Sequence, residues 1–255
     1  MAKVITFGIQ KGGSSKTTTS GIVAYLLSEK YKVLAIDMDS QGNLTELLTQ
    51  RDIYDFQGRT IFEALKAQDA NGYIYEITEN LHMITADDHI ARFSSWLYSA
   101  PYKGNMSLVL LETIGTVRDN YDYIIVDTPP ALGEQTINAL AAADYVVAMF
   151  EASKFCYSAL SRFLETCGHI QDKVNRDMQI AGILRCLIDT RRTDNKALIE
   201  LVREEYEDVC FDTVLTRTAA TGRISINGFV NNNELNQAVS QHRVFVEELI
   251  RRVEE

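Results

Sequence analysis

The sequence predicts an α/β fold: a single domain with one mostly parallel, twisted sheet and helices on both faces. Short runs of β-branched and apolar residues alternate with amphipathic segments along the chain, the pattern of strand–helix–strand units whose sheet is covered on both sides. Two of these runs end at aspartates, Asp37 and Asp127, at the carboxyl ends where parallel sheets bind ligands. No internal repeat, low-complexity tract or Pro/Gly-rich linker interrupts the chain. With three prolines in 255 residues, nothing marks a boundary, so 1–255 reads as one domain.

Residues 3–9 form the first expected strand, and 17–28 a helix with Ile22, Val23, Leu26 and Leu27 on its apolar side. A second strand, 33–36, runs into Asp37-Met38-Asp39-Ser40-Gln41-Gly42-Asn43, where Asp39 or Ser40 would cap a following helix. Residues 44–120 read as helices (60–67, 87–98 and 106–118) around one shorter strand, 81–85. The run 122–127 is a buried strand that must stop before Pro129 and Pro130, because proline cannot donate to a sheet ladder. Helix 134–142, strand 145–150, helix 153–171, strand 179–188, helix 195–206 and strand 209–215 follow. A last helix, 234–253, carries Leu235, Ala238, Val239, His242, Phe245, Val246, Leu249 and Ile250 on one stripe.

At 46% apolar and 24% charged residues the composition is that of a globular protein. No run of about 18 apolar residues offers a membrane span, and the chain enters its first strand without the features of a secretory signal. The four cysteines, Cys156, Cys167, Cys186 and Cys210, make no C-x-x-C pair and sit in or beside apolar segments, which favours buried thiols in a cytoplasmic protein. The four histidines are scattered and read as surface or packing residues. A net charge of −10 and a pI near 5.0 argue against a globally basic nucleic-acid binder. A local basic patch, completed by oligomerisation, remains compatible with that balance.

The chemistry begins directly after the first strand, at Gln10-Lys11-Gly12-Gly13-Ser14-Ser15-Lys16-Thr17-Thr18. Strand, glycine-rich loop and helix in that order present bare backbone N–H groups to phosphate oxygens. Lys16 is suited to neutralise those oxygens, and the Thr17 hydroxyl to hold Mg²⁺. The ordinary phosphate-loop pattern G-x-x-x-x-G-K-[ST] fails at both glycines, since Gln10 and Ser15 occupy those places. Asp127, ending a buried strand, is the carboxylate such a site uses to hold a metal through water. Asp37 could share that shell, leaving Asp39 to orient or deprotonate an attacking water.

The segment Lys11-Gly12-Gly13-x-x-Lys16-Thr17-Thr18 resembles the deviant Walker A box, K-G-G-x-G-K-[ST], of the ParA/MinD ATPases. Residues 37–43 resemble the ParA form D-x-D-P-Q-G-N, residues 123–130 (YIIVDTPP) its Walker B segment, and Ile137-Asn138-Ala139-Leu140 with Ala142, Ala143 and Asp144 a further family stretch. Ordered over about the first 150 residues, these boxes imply a deviant P-loop NTPase fold and a slow ATPase that uses ATP and Mg²⁺.

 The resemblance further implies that two subunits sandwich two ATP molecules, with Lys11 reaching the partner's phosphates. Lys16 would contact the β- and γ-phosphates, Thr17 would bind Mg²⁺, Thr18 would support the α-phosphate and Asp39 would prepare the water, while Gly12, Gly13, Ser14 and Ser15 line the loop. Two departures stand out. Ser15 replaces a family glycine and is accommodated without strain only at negative φ. Ser40 replaces a proline that stiffens the loop carrying Asp39.

The Q-G-N ending leans towards the ParA branch. In residues 241–255, Glu247, Glu248, Glu254 and Glu255 offset the apolar stripe, so a core-packing helix is expected and not a MinD-type membrane anchor. Residues 128–145 contain no cysteine of the kind nitrogenase-reductase relatives need for their cluster. By resemblance, the protein is an ATP-dependent homodimer in plasmid or chromosome partitioning. It would bind DNA nonspecifically and be released when a ParB-like centromere-binding protein stimulates hydrolysis, placing it in the bacterial cytoplasm on the nucleoid. No N-terminal helix-turn-helix domain is expected ahead of the ATPase. The DNA contacts are expected from Arg191, Arg192, Arg217 and Arg223, and Thr216 with Arg217 is expected against the adenine. The alternatives are a nucleotide switch whose hydrolysis Ser15 suppresses, and a MinD-like positioning ATPase.

Overall fold

The computed structural model describes residues 1–10, 15–99, 102, 104–187, 193–216, 218–229 and 232–254. In chain order the elements are β1 (Lys3–Gly8), α1 (Lys16–Ser28), β2 (Val33–Asp37), α2 (Asn43–Thr49), α3 (Ile61–Ala67), β3 (Ile74–Glu76), β4 (Leu81–Ile84), α4 (Phe93–Ser99) and α5 (Val109–Gly115). They continue with β5 (Tyr123–Asp127), α6 (Glu134–Ala142), β6 (Tyr145–Glu151), α7 (Lys154–Lys173), β7 (Gln179–Leu187), α8 (Thr193–Tyr206), β8 (Cys210–Thr216), α9 (Ala219–Asn227) and α10 (Asn233–Glu254).

The strands form one sheet in the order β3-β4-β2-β5-β1-β6-β7-β8. Every pairing is parallel except β3 with β4, an antiparallel edge. Successive side chains of a strand point to opposite faces, and the core divides accordingly. Ile5, Phe7, Val33, Ala35 and Ile125 pack with apolar residues of α1, α2, α7 and α10. Val4, Leu34, Ile36, Ile124 and Val126 pack with those of α3, α4, α5 and α6. This two-sided burial explains why the central strands read as unbroken apolar runs.

Several expected boundaries shift. The expected helix 87–98 is a 3₁₀ turn (Asp88–Arg92) followed by α4, and 106–118 contracts to α5. The short strand β3 and helix α9 were not expected, because neither carries a long periodic pattern. At α3 the Thr60 N–H donates to Glu63 Oε2 at 3.3 Å, and the Thr60 hydroxyl to the same oxygen at 2.6 Å, so the Glu63 side chain caps the first turn.

The closing helix α10 is committed to the sheet. It buries Leu235, Val239, Phe245 and Leu249, and Glu248 points inward with them. The Glu248 carboxylate accepts from the N–H groups of Asp212 (2.7 Å) and Thr213 (3.0 Å) and from the Thr213 hydroxyl (2.8 Å), satisfying backbone groups of edge strand β8. Among the described residues, no helix is long and apolar enough to cross a membrane. All four cysteines are buried thiols.

Candidate nucleotide site

Parallel pairing aligns the carboxyl ends of β1, β2 and β5. Asp37 lies opposite Asp127 across the β2–β5 ladder, and Phe7 opposite Asp127 across β1–β5. Strand order places this junction where the connection from β1 passes over β5 to reach β2, the kind of switch point at which open parallel sheets hold ligands. A cleft of about 960 Å³ opens there.

Lys16 and Thr17 enter the cleft at the start of α1. The Lys16 ammonium donates to Asp127 Oδ1 at 2.9 Å and to the Thr128 carbonyl, and the side chain is only 6% exposed. The Thr17 hydroxyl donates to Asp127 Oδ2 at 2.7 Å. Thr128 is itself tied down, its hydroxyl donating to the Phe7 carbonyl at 2.8 Å. One buried carboxylate thus holds the cation and the hydroxyl that the sequence assigns to phosphate and metal. Thr18 also lines the cleft.

Asp37 is fully buried and does a different job. Its Oδ1 accepts from the Asp39 N–H at 3.0 Å, and its Oδ2 accepts from the N–H and hydroxyl of Thr45, both at 2.9 Å. The carboxylate therefore clasps both ends of the loop that carries Asp39. Burial, followed by the nearby Asp127 charge, pushes the Asp37 carboxyl up to about 7. Asp39 lines the cleft at 8% exposure, and burial raises its pKa as well. Its Oδ1 accepts from the Gln41 N–H at 3.1 Å. Gly42 caps α2 at φ 61°, with Ile53 2.3 Å from where a Cβ would stand, so this position of the Q-G-N segment needs glycine.

Ser15 caps α1 at φ 59° and ψ 11°, the left-handed region, and not at the negative φ that would suit serine. An L side chain there costs roughly 1–2 kcal/mol. Ser15→Gly is therefore expected to stabilise the nucleotide-free protein by about 1 kcal/mol, after allowing for the extra freedom of glycine in the unfolded chain. Urea unfolding would check this, and a less stable variant would show that Ser15 is not strained.

Lys11, Gly12, Gly13 and Ser14 lie outside the described residues, as do Arg191, Arg192 and Arg217. Gln10, just before the loop, accepts from Arg162 Nε of α7 at 2.8 Å. Arg223, on α9, pairs with Glu234 at 2.5 Å, so a neighbouring acid compensates its charge. Thr216 ends β8 at the far end of the cleft. Its N–H donates to Gln241 Oε1 at 2.7 Å.

Sequence reasoning did not anticipate Thr45, Cys186 or His242 at this site. The Thr45 role depends on an eight-residue return to Asp37 that no local pattern announces. Cys186 and His242 sit in apolar segments and read as core, yet both line the cleft. His242 is 5% exposed, and its Nδ1 has no hydrogen-bond partner among the described residues.

Residues 2–180 match a protein family described as an AAA domain. The chain is 32% identical over 237 residues to the sporulation initiation inhibitor protein Soj of Bacillus subtilis, covering 89% of each chain. A plasmid partition protein from Borrelia burgdorferi, solved bound to AMPPNP, is 26% identical with a TM-score of 0.78, over 97% of this chain and 100% of that one. A Mycobacterium smegmatis structure described as cobyrinic acid a,c-diamide synthase with bound ADP and magnesium is 25% identical with a TM-score of 0.83, over 100% of this chain and 96% of that one. With the phosphate-loop lysine and the strand-end carboxylates converging in one cleft, the chain belongs to the ParA/Soj family of partitioning ATPases.

Proposed function

We propose that this chain binds ATP with Mg²⁺ in the cleft at the carboxyl ends of β1, β2 and β5, and hydrolyses it to drive DNA partitioning. The observation that carries this reading is the buried contact of Lys16 and Thr17 with Asp127. The donor set fits the ligand: an ammonium for phosphate oxygens, and a hydroxyl and a carboxylate as hard oxygen donors for Mg²⁺. Lys16 would neutralise the β- and γ-phosphates, and Thr17 and Asp127 would hold the metal. When bound, Mg²⁺ supplies charge neutralisation on the transferring phosphoryl group. Asp39, at the cleft wall, would orient the attacking water, with Asp37 and Thr45 fixing the loop on which it stands. Catalysis of this type is mostly positioning.

In the same reading, 1–255 is one ATPase domain that forms a homodimer around two nucleotides, with Lys11 crossing to the partner and Gly12, Gly13, Ser14, Ser15 and Thr18 lining the phosphates. Thr216 and Arg217 would flank the base. The ATP-bound dimer binds DNA nonspecifically on the nucleoid, and a ParB-like centromere-binding protein triggers hydrolysis and release. Arg191, Arg192, Arg217 and Arg223 are the proposed phosphate contacts, of which Arg223 must first exchange Glu234 for DNA. The commitment of α10 to the sheet supports this reading over a MinD-like membrane role.

DNA binding is expected with ATP and not with ADP, and to weaken with salt. Arg191→Ala with Arg192→Ala is expected to reduce affinity uniformly across sequences and to make the salt dependence shallower by about two phosphate contacts. Gel-shift titration at several salt concentrations checks this, and an unchanged double variant removes these arginines from the interface. The left-handed backbone of Ser15 favours a second reading, a nucleotide switch with suppressed hydrolysis. Faster turnover in Ser15→Gly, with DNA and partner present, would support it.

A further inference from the structure

The cleft has two chemically distinct ends. One carries Lys16, Thr17 and Asp39; the other is formed by the ends of β7 and β8 together with α9 and α10. At this second end the polar side chains are already engaged. Gln241 makes a reciprocal pair with Thr216, accepting from its hydroxyl at 3.0 Å and donating to it at 2.7 Å. The Thr221 hydroxyl pairs with Thr218 Oγ1 at 2.7 Å and donates to the Ala238 carbonyl at 3.3 Å. The Ser225 hydroxyl donates to the Gly222 carbonyl at 2.9 Å. Leu215 and Cys186 supply apolar surface.

His242 differs from these neighbours. It is almost fully buried, lines the cleft, and its Nδ1 has no partner among the described residues. A buried polar atom left without a partner is costly, and native structures rarely keep one without reason. We propose that His242 is the nucleobase-contacting residue of the cleft, hydrogen-bonding through a ring nitrogen to the edge of a bound purine. This rests on the nucleotide reading of the site and adds the residue that distinguishes a nucleotide from bare polyphosphate.

The chemistry suits that role. Burial pulls the imidazole down to about 4, so near neutral pH the ring is uncharged, with one N–H donor and one bare nitrogen. Purine edges present both ring-nitrogen acceptors and exocyclic groups, so either tautomer finds a complement. A half-turn about the Cβ–Cγ bond exchanges Nδ1 for Cδ2 without moving the backbone, so the ring can present either edge to a base that offers a partner. The apolar walls at Leu215 and Cys186 provide a surface for the purine face, as is usual for small-molecule sites.

The test compares binding of ATP and of inorganic tripolyphosphate, each with Mg²⁺, to the full chain by calorimetry. His242→Phe keeps the ring volume and removes both nitrogens. It is expected to weaken ATP binding by about three- to tenfold, the range of one neutral hydrogen bond, and to leave tripolyphosphate binding unchanged. His242→Asn, which retains a neutral donor and acceptor, is expected to recover part of the ATP affinity. Thermal melts of the nucleotide-free variants confirm folding. Equal weakening of both ligands, or unchanged ATP affinity in His242→Phe, overturns the contact alone. Failure of the wild-type chain to bind either compound overturns the nucleotide reading together with it.

Discussion

Lys16→Ala is expected to abolish ATP turnover and also to destabilise the protein before any nucleotide is added. The catalytic loss follows from removing the cation proposed to neutralise the phosphates. Removing a single preorganised donor of this kind costs at least about 100-fold in rate. The stability loss has a separate origin. Lys16 is 6% exposed and Asp127 fully buried, 2.9 Å apart, and Asp37 stands opposite Asp127 in the sheet. Deleting the ammonium leaves two buried carboxyl groups facing each other with no cation. Breaking a buried pair by removing one partner typically costs about 3–5 kcal/mol, which for a chain of this size lowers Tm by on the order of 10 °C. The stability loss should shrink on acidification, because Asp37 takes up a proton below about 7. Calorimetry at pH 8 and pH 6, alongside a phosphate-release assay, checks both halves. A variant that melts with the wild type would show that the cation does not hold the carboxylates together, and one that retains turnover would place catalysis elsewhere.

The nucleotide-free protein is expected to hold a nearly constant stability from pH 4 to 6.5 and to lose some of it above, because two buried groups act in opposite directions. Burial pushes Asp37 up to about 7, against about 4 in an unfolded chain. Between those values the folded state holds a proton that the unfolded state has released, so the Asp37 contribution is fully present below about 4 and is lost as pH rises through about 7. His242 behaves in the reverse sense. Burial lowers it from 6.5 to about 4, so the unfolded chain binds the proton first, and stability falls as pH drops from 6.5 towards 4. Each group is worth about 3–4 kcal/mol over its whole window. From pH 4 to 6.5 the two slopes nearly cancel, and above that only Asp37 acts, removing about 1 kcal/mol by pH 8. In His242→Phe the opposing slope disappears, so stability should keep rising as pH falls, gaining about 3 kcal/mol on the wild type by pH 4. Urea midpoints across that range provide the test. Exposed carboxylates titrate alike in both proteins and cancel in the difference, so coincident profiles would sink the assignment.

How much was legible in advance varies by element. The alternation of apolar runs and amphipathic segments announces β1, β2, β5, β6 and β7, because strands buried on both faces must be apolar throughout. Thr60 and Glu63 mark the start of α3 because capping is local chemistry. By contrast, β3 is a three-residue edge strand and α9 a nine-residue helix. Their own periodicity is too short to announce them. The stripe on α10 was legible, but the acids interleaved with it read as solvent-facing. Glu248 turned inward because the edge of β8 offered it three donors.

The candidate site divides along the same line. Lys16, Thr17, Asp37, Asp39 and Asp127 are legible from residue type alone as standing at or just past the end of a strand or at the start of a helix, because glycines, prolines and carboxylates punctuate the chain there. Parallel pairing then implies that these ends converge. Which partner each of them takes is visible in the folded chain alone. Asp127 receives Lys16 and Thr17, whereas Asp37 is occupied by Thr45 and the Asp39 amide. Ser15 takes a left-handed backbone, and His242, which reads as core, lines the cleft. The physical reason is that side-chain type and spacing specify local geometry, while the partner of a buried polar group depends on which distant backbone the sheet register brings beside it.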